Sequence, residues 1–158
     1  MVVKAGGPVC GCGAKGCMEA LASKTAIQRR VNKAIRRGTP TVLSGKMARK
    51  GGRLKSGDLA EAVAAKDPVA LKAVQRAAHY LGVGVGSLIN VLGPEIVIIG
   101  GGVVNALGDP WVDLARTAAR TQILTDPAGH IKIERAALGD DAGILGAALL
   151  AREHLVRS

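Results

Sequence analysis

The apolar positions of the chain change period along its length, and each change marks an element. Ile27, Val31 and Ile35 recur four apart, with Arg29, Arg30, Lys33, Arg36 and Arg37 around the other faces. This is the pattern of an amphipathic surface helix, and the spacing predicts one helix from Glu19 to Arg37, stopped by Gly38 and Pro40. Residues 38–57 read as a basic turn region, and Asp58–Lys66 as a short helix. Asp67 supplies a cap and Pro68 a first-turn proline for a longer helix to about Leu92, because Val74, Ala78, Leu81, Val85, Leu88 and Leu92 recur at steps of three or four. At Ile96 the period is lost: Ile96, Val97, Ile98 and Ile99 form a continuous branched run, the mark of a strand buried on both faces, ended by Gly100, Gly101 and Gly102. Asp109 and Pro110 repeat the cap-plus-proline signal for a helix to about Ile123. A second strand is expected at 131–136, and Asp141 is expected to cap a final helix through Glu153. The first 18 residues read as loop or short hairpin. Helices alternating with buried strands predict an α/β layered fold, and 158 residues suit a single domain, 1–158.

Composition narrows the core. The chain is 48% apolar, but Trp111 and Tyr80 are the only aromatic residues. Ala, Val, Leu and Ile must therefore fill the interior. The longest apolar stretch, Leu81 to Val104, is broken by Asn90, Pro94 and Glu95, so neither a membrane span nor a signal peptide is expected, and a cytoplasmic location is the default. The net charge of +10 is concentrated: eleven Lys and Arg and no acid lie between Lys24 and Gly57. With no aromatic residues interleaved for stacking, a solvated face is favoured over a nucleic-acid site.

All three cysteines fall within "CGCGAKGC", residues 10–17. Cys10 and Cys12, one residue apart, and Cys17, five further on, let three thiolates converge, while the intervening glycines allow tight turns. Zinc suits such a sulfur set. Three thiols that never meet a metal are the other reading of the spacing alone. An odd number of cysteines without an export signal argues against a disulfide framework.

These residues are also recognisable. "CGCGAKGCMEA" is similar to the C-x-C-G-x-x-G-C-x-E signature of the ROK family (repressors, open reading frames and sugar kinases). "LGVGVGSLINVLGPEIVIIGGGVV" resembles that family's helix, strand and adenosine loop, and "LGDDAGILGAALLA" its closing segment. The resemblance covers nearly the whole chain, with 38–55 least alike. It implies the C-terminal lobe of an actin-like (ribonuclease H-like) sugar-kinase ATPase, glucokinase-like, with a zinc and sugar loop at 1–20 and an adenosine-binding strand and turn at 94–108.

On that resemblance Cys10, Cys12 and Cys17 hold a structural zinc. The family's fourth ligand, a histidine, would fall immediately before Met1. Glu19 matches the glutamate that accepts a hydrogen bond from a sugar hydroxyl; read without the resemblance, it is a first-turn glutamate favouring the helix dipole. Gly100, Gly101 and Gly102 match the adenosine-binding glycines, and residues without Cβ at the end of a buried strand leave room for a nucleoside. The substrates implied are a hexose and ATP with magnesium. The family's phosphate-binding loops and its aspartate base have no counterpart here, so no catalytic residue is assigned and the chain alone is expected to be inactive. A sugar-sensing repressor of the same family is the alternative function, and a small zinc-containing nucleic-acid-binding module a lower one. One lobe without its partner would display apolar surface, and the family's kinases are commonly dimers, so a homo-oligomer or association through that surface is expected.

Three further features read as structural. Gly82, Gly84 and Gly86 lie within a helical pattern, where close helix packing explains them better than phosphate binding. Asp140 and Asp141 mark a helix start rather than a catalytic pair. His79, His130 and His154 receive no role.

Overall fold

The computed structural model describes residues 1–124 and 129–156. Helix α1 runs Met18–Ala22, α2 Lys24–Arg36, α3 Leu43–Ala48, α4 Ser56–Ala64 and α5 Pro68–Leu92; strand β1 is Ile96–Ile99, followed by α6 Gly102–Leu107, α7 Asp109–Arg120, β2 Lys132–Arg135 and α8 Ala142–Val156, with a 3-10 turn at Gly139–Asp141 before the last. The two strands pair in parallel, Ile96 opposite Lys132 through Ile99 opposite Arg135. The α/β expectation is met, with helices in the majority.

The long helix α5 organises the core. Its Asp67 cap forms as expected: one carboxylate oxygen accepts from the Ala70 N–H at 2.9 Å and the other from the Val42 N–H at 2.9 Å, fixing the preceding loop to the helix start. Gly93 ends it in the left-handed conformation, φ 54°, which spares the Cβ clash that another residue would meet there. The α5–α7 seam is where Gly82 and Gly86 matter. A Cβ at Gly82 would stand 2.4 Å from the Ala115 carbonyl oxygen, and one at Gly86 would stand 2.7 Å from that of Ala119. These glycines therefore serve packing, as their helical context predicts. Trp111 on α7 is buried, and its indole N–H donates to the Val74 carbonyl at 3.0 Å. Arg116 reaches from α7 to β2, its Nε and Nη2 both donating to the Ile133 carbonyl at 3.0 and 2.9 Å.

Several expectations are corrected. The predicted helix Glu19–Arg37 is broken at Ser23, whose extended backbone ends α1 and whose hydroxyl caps α2 by accepting from the Ala26 N–H. A serine favours a cap over a helix interior because its side chain can satisfy an orphan N–H. The basic region 38–57 contains α3, held by Leu43 and Met47, both essentially fully buried. Helix α7 stops at Arg120, and Gly108 rather than Asp109 is its cap residue. Asp141, the residue immediately before α8, also closes the 3-10 turn, its N–H donating to Leu138 O, which leaves the expected cap neither met nor overturned, while Asp140 accepts from the Asn105 side chain at 2.6 Å.

The largest departure is at β1. A strand buried on both faces was expected, yet Ile96 is 46% and Ile98 63% exposed, while Ile99 is buried. The pleat sends Ile96 and Ile98 to a face that no described element covers. Helix α8, rich in apolar residues, likewise leaves Ile144, Leu145, Leu149 and Leu150 exposed. A helix of that composition ordinarily lies in an interior. Among the described residues no helix is long and apolar enough to cross a membrane.

Candidate metal and ligand site

Residues 1–18 form the expected hairpin, and backbone hydrogen bonds fix it. Val9 and Lys15 make an antiparallel bridge, as do Val2 and Cys17. Cys10 N–H donates to Ala14 O at 2.8 Å, Gly16 N–H to Pro8 O at 2.9 Å, and Val3 N–H to Gly16 O at 2.9 Å. Gly16 sits at φ 80°, and a Cβ there would fall 1.7 Å from the Lys4 carbonyl oxygen. Only glycine fits that crossing.

The fold of this hairpin gathers the three thiols. The Cys10, Cys12 and Cys17 sulfurs all lie within 4.8 Å of one another, with Cys10 and Cys17 buried and Cys12 exposed. The Cys12 and Cys17 sulfurs are 3.7 Å apart. Two sulfurs on a tetrahedral zinc with bonds of about 2.3 Å would be separated by about 3.8 Å, the spacing that the Cys12 and Cys17 sulfurs already have, with the Cys10 sulfur close enough to join them. The Cys12 thiol is held below its ordinary pKa, first by a hydrogen bond with the Ala14 backbone and then by the Cys17 and Cys10 thiols. Cys17 is pushed up to about 11, chiefly by its hydrogen bond with Cys12 and then by burial. One thiol is thus set to lose its proton before its neighbour, which metal binding requires of all three. Among the described residues none of His79, His130 or His154 joins the cluster. The Pro127 and Ala128 positions before His130 lie outside the described residues.

Glu19, in the first turn of α1, is tied to the same loop: the Cys10 thiol donates to its Oε2 at 3.4 Å. Its other neighbours come from across the core. A cavity of about 370 Å3 is lined by Met18, Glu19 and Lys24 on one side, by Gly100, Gly101 and Gly102 on another, and by Trp111. The fold therefore brings the two sequence-predicted ligand sites, some eighty positions apart, into one hollow. Gly100 lies against Ala136, the residue after β2, whose Cβ would stand 3.0 Å from a Cβ placed there. Gly101 has φ 114°, a conformation that L side chains rarely adopt, with nothing within 4 Å of where its Cβ would point. The turn is both strained for other residues and open to a ligand.

Sequence reasoning missed Trp111, Leu81, Met18 and Lys24 as parts of this lining. The signal available was the buried stripe Trp111, Val112, Ala115, Ala118 and Ala119 on α7, which marks the core but not the cavity beside it.

The chain has known relatives. A model of the ROK family matches residues 1–154. The chain is 34% identical over 153 residues to a glucokinase of Halalkalibacterium halodurans, a match covering 97% of this chain and 46% of that protein. It is 26% identical over 138 residues to a putative xylose repressor of Caldicellulosiruptor sp., covering 87% of this chain and 34% of the other. A solved ROK family glucokinase from Streptomyces griseus, in complex with glucose and AMPPNP, superposes with a TM-score of 0.77 at 28% identity, covering 97% of this chain and 50% of that one. The chain spans about half the length of the glucokinases it matches. Matched along nearly all of its own length, it belongs to the ROK family.

Proposed function

We propose that this chain is the C-terminal lobe of an actin-like, ATP-dependent hexose kinase of glucokinase type, working in the cytoplasm. The observation that carries the reading is the single cavity lined by both Glu19 and the Gly100–Gly101–Gly102 turn. In this reading Glu19 accepts a hydrogen bond from a sugar hydroxyl and orients it, and the glycine turn admits the adenosine of ATP. Cys10, Cys12 and Cys17 would hold zinc, which when bound supplies a structural pin for the loop. A thiolate at Cys10 has no proton to donate, so metal binding frees Glu19 Oε2 for the sugar. The reaction breaks the bond from the γ-phosphorus to its bridging oxygen and forms one to the sugar oxygen, with the hydroxyl proton passing to a carboxylate. No residue of this chain is assigned as that base, and magnesium would enter with ATP. The uncovered face of β1 and α8 is the surface through which the lobe associates.

Calorimetric titration of the purified chain tests the assignment. Saturable binding of AMPPNP is expected, lost in Gly101→Val, together with glucose binding weakened about tenfold in Glu19→Gln, the loss of a charge-assisted hydrogen bond. No turnover of glucose and ATP is expected. Absence of nucleotide binding, or turnover by the chain alone that Glu19→Gln removes, would overturn the one-lobe reading. Elemental analysis tests the metal: about one zinc per chain is expected, with a lower melting temperature after chelation. A folded chain without zinc would detach the cysteines from the proposal.

The repressor alternative is favoured by the xylose-repressor relative. Glucose binding with no response to AMPPNP at any concentration would support it over the kinase.

A further inference from the structure

The basic run from Lys24 to Gly57 divides in the fold. In its second half Lys46 pairs with Glu61, and Lys50 with Asp58 at 2.6 Å. In its first half no such pairing occurs among the described residues. Arg30 and Lys33 of α2, with Arg37 at its C-cap, face Lys72 and Arg76 of α5 and Lys4 of the hairpin across a groove of about 1060 Å3. Arg29 and Arg36 bring the lining cations to eight, and no acidic residue lines it. Among the described residues none of these cations forms an ion pair with a carboxylate.

Two of the guanidinium groups are fixed in place. Arg29 Nη2 donates to the Ala20 carbonyl and Arg30 Nη2 to the Leu21 carbonyl at 2.6 Å, satisfying acceptors at the end of α1. Arg30 Nη1 is buried without a hydrogen-bond partner. Burial, and then the charges of Arg76 and Arg29, push the Arg30 guanidinium below its ordinary pKa. Like charges held together in a concave site raise one another's energy, and an anion seated among them relieves that repulsion.

We propose that this groove is a second ligand site, distinct from the Glu19 cavity, that takes a small anion carrying two or three linked phosphate groups. The two sites share no lining residue. Linked phosphates are favoured over one because the α2 cations from Arg29 to Arg36 extend about 10 Å at 1.5 Å per residue. A single phosphate would meet the cations of one turn only. A nucleic acid is disfavoured because no aromatic ring lines the groove; the nearby Tyr80 is instead covered by Lys4 and Arg76, 5.7 and 5.8 Å from its ring centre.

The test is calorimetric titration of the purified chain with sodium tripolyphosphate and with orthophosphate at fixed ionic strength. Tripolyphosphate is expected to bind about tenfold tighter or more. The triple variant Lys33→Gln, Lys72→Gln, Arg76→Gln should weaken it by about tenfold. The control Arg49→Gln, Arg53→Gln, Lys55→Gln removes the same charge from exposed residues of the basic run outside the groove and should change it less than about threefold. Melting curves check that both fold. Equal losses in the two variants, equal affinity for orthophosphate, no tripolyphosphate binding, or tighter binding of a single-stranded oligonucleotide at equal phosphate concentration would each overturn the proposal. Gly101→Val should leave tripolyphosphate binding intact, which keeps this outcome separate from the fate of the nucleotide site.

Discussion

The α5–α7 seam and the elements β1 and α8 are both rich in Ala, Ile, Leu and Val, but they have opposite fates. Along the seam Trp111, Val112, Ala115 and Ala119 are buried against α5, close enough that Gly82 and Gly86 cannot carry a side chain without displacing backbone. In β1 and α8, by contrast, Ile96, Ile98, Leu149 and Leu150 are exposed. Apolar composition alone therefore does not tell where the interior lies; the seam is identified by small residues facing small residues. Ridges of one helix can then enter grooves of the other.

If this contrast is correct, the largest effect should come from Trp111→Ala. Removing a buried indole, with its hydrogen bond to Val74 O, is expected to cost about 3–5 kcal/mol in chemical denaturation. A loss below about 1 kcal/mol would show the seam to be looser than described.

A smaller effect belongs to the start of α5. Burial alone would raise the Asp67 carboxyl, but hydrogen bonds from the Ala70 and Val42 N–H groups hold it below the ordinary carboxylate range. Asp58 is held low as well, first by its hydrogen bond with Lys50. A carboxyl whose folded pKa is depressed stabilises the fold fully above its unfolded value, near 3.9, and that contribution is lost as the pH falls through that value towards the folded one. The melting temperature should therefore drop below about pH 4. Asp67→Asn, whose single amide oxygen can keep only one of the two accepted hydrogen bonds, should cost about 1 kcal/mol at neutral pH and flatten part of that acid limb, leaving the share of Asp58. An unchanged acid limb would place the pH dependence elsewhere.

The smallest effect is expected on the open side. Ile98→Lys and Leu149→Lys should each change stability by less than about 0.5 kcal/mol, while sedimentation shows weaker self-association. A loss above about 2 kcal/mol in the monomer would mean that this face is packed after all.

Much of the architecture was legible in the chain. The α5 start was readable because Asp67 and Pro68 act locally, and the thiol cluster because its ligands lie within eight positions. The break at Ser23 was hidden by Ile27, Val31 and Ile35, whose spacing continues a helix that the cap interrupts. Helix α3 was hidden by the charges around Leu43 and Met47. The exposure of β1 was not readable, since a branched run records what a strand is suited to touch rather than what covers it. The shared cavity was not legible either, because no local pattern states that Glu19 and Gly101 face each other.

The parallel pairing of β1 with β2 has one more consequence. Each strand is hydrogen-bonded on a single flank, so the described sheet ends in two open margins of unpaired N–H and C=O groups. The pleat dictates what a further strand would require there. Ile96 and Ile98 project to one side and Val97 and Ile99 to the other, so a strand continuing the ladder must repeat their alternation to extend the same apolar surface. A shift of a single residue would turn its apolar set to the opposite face.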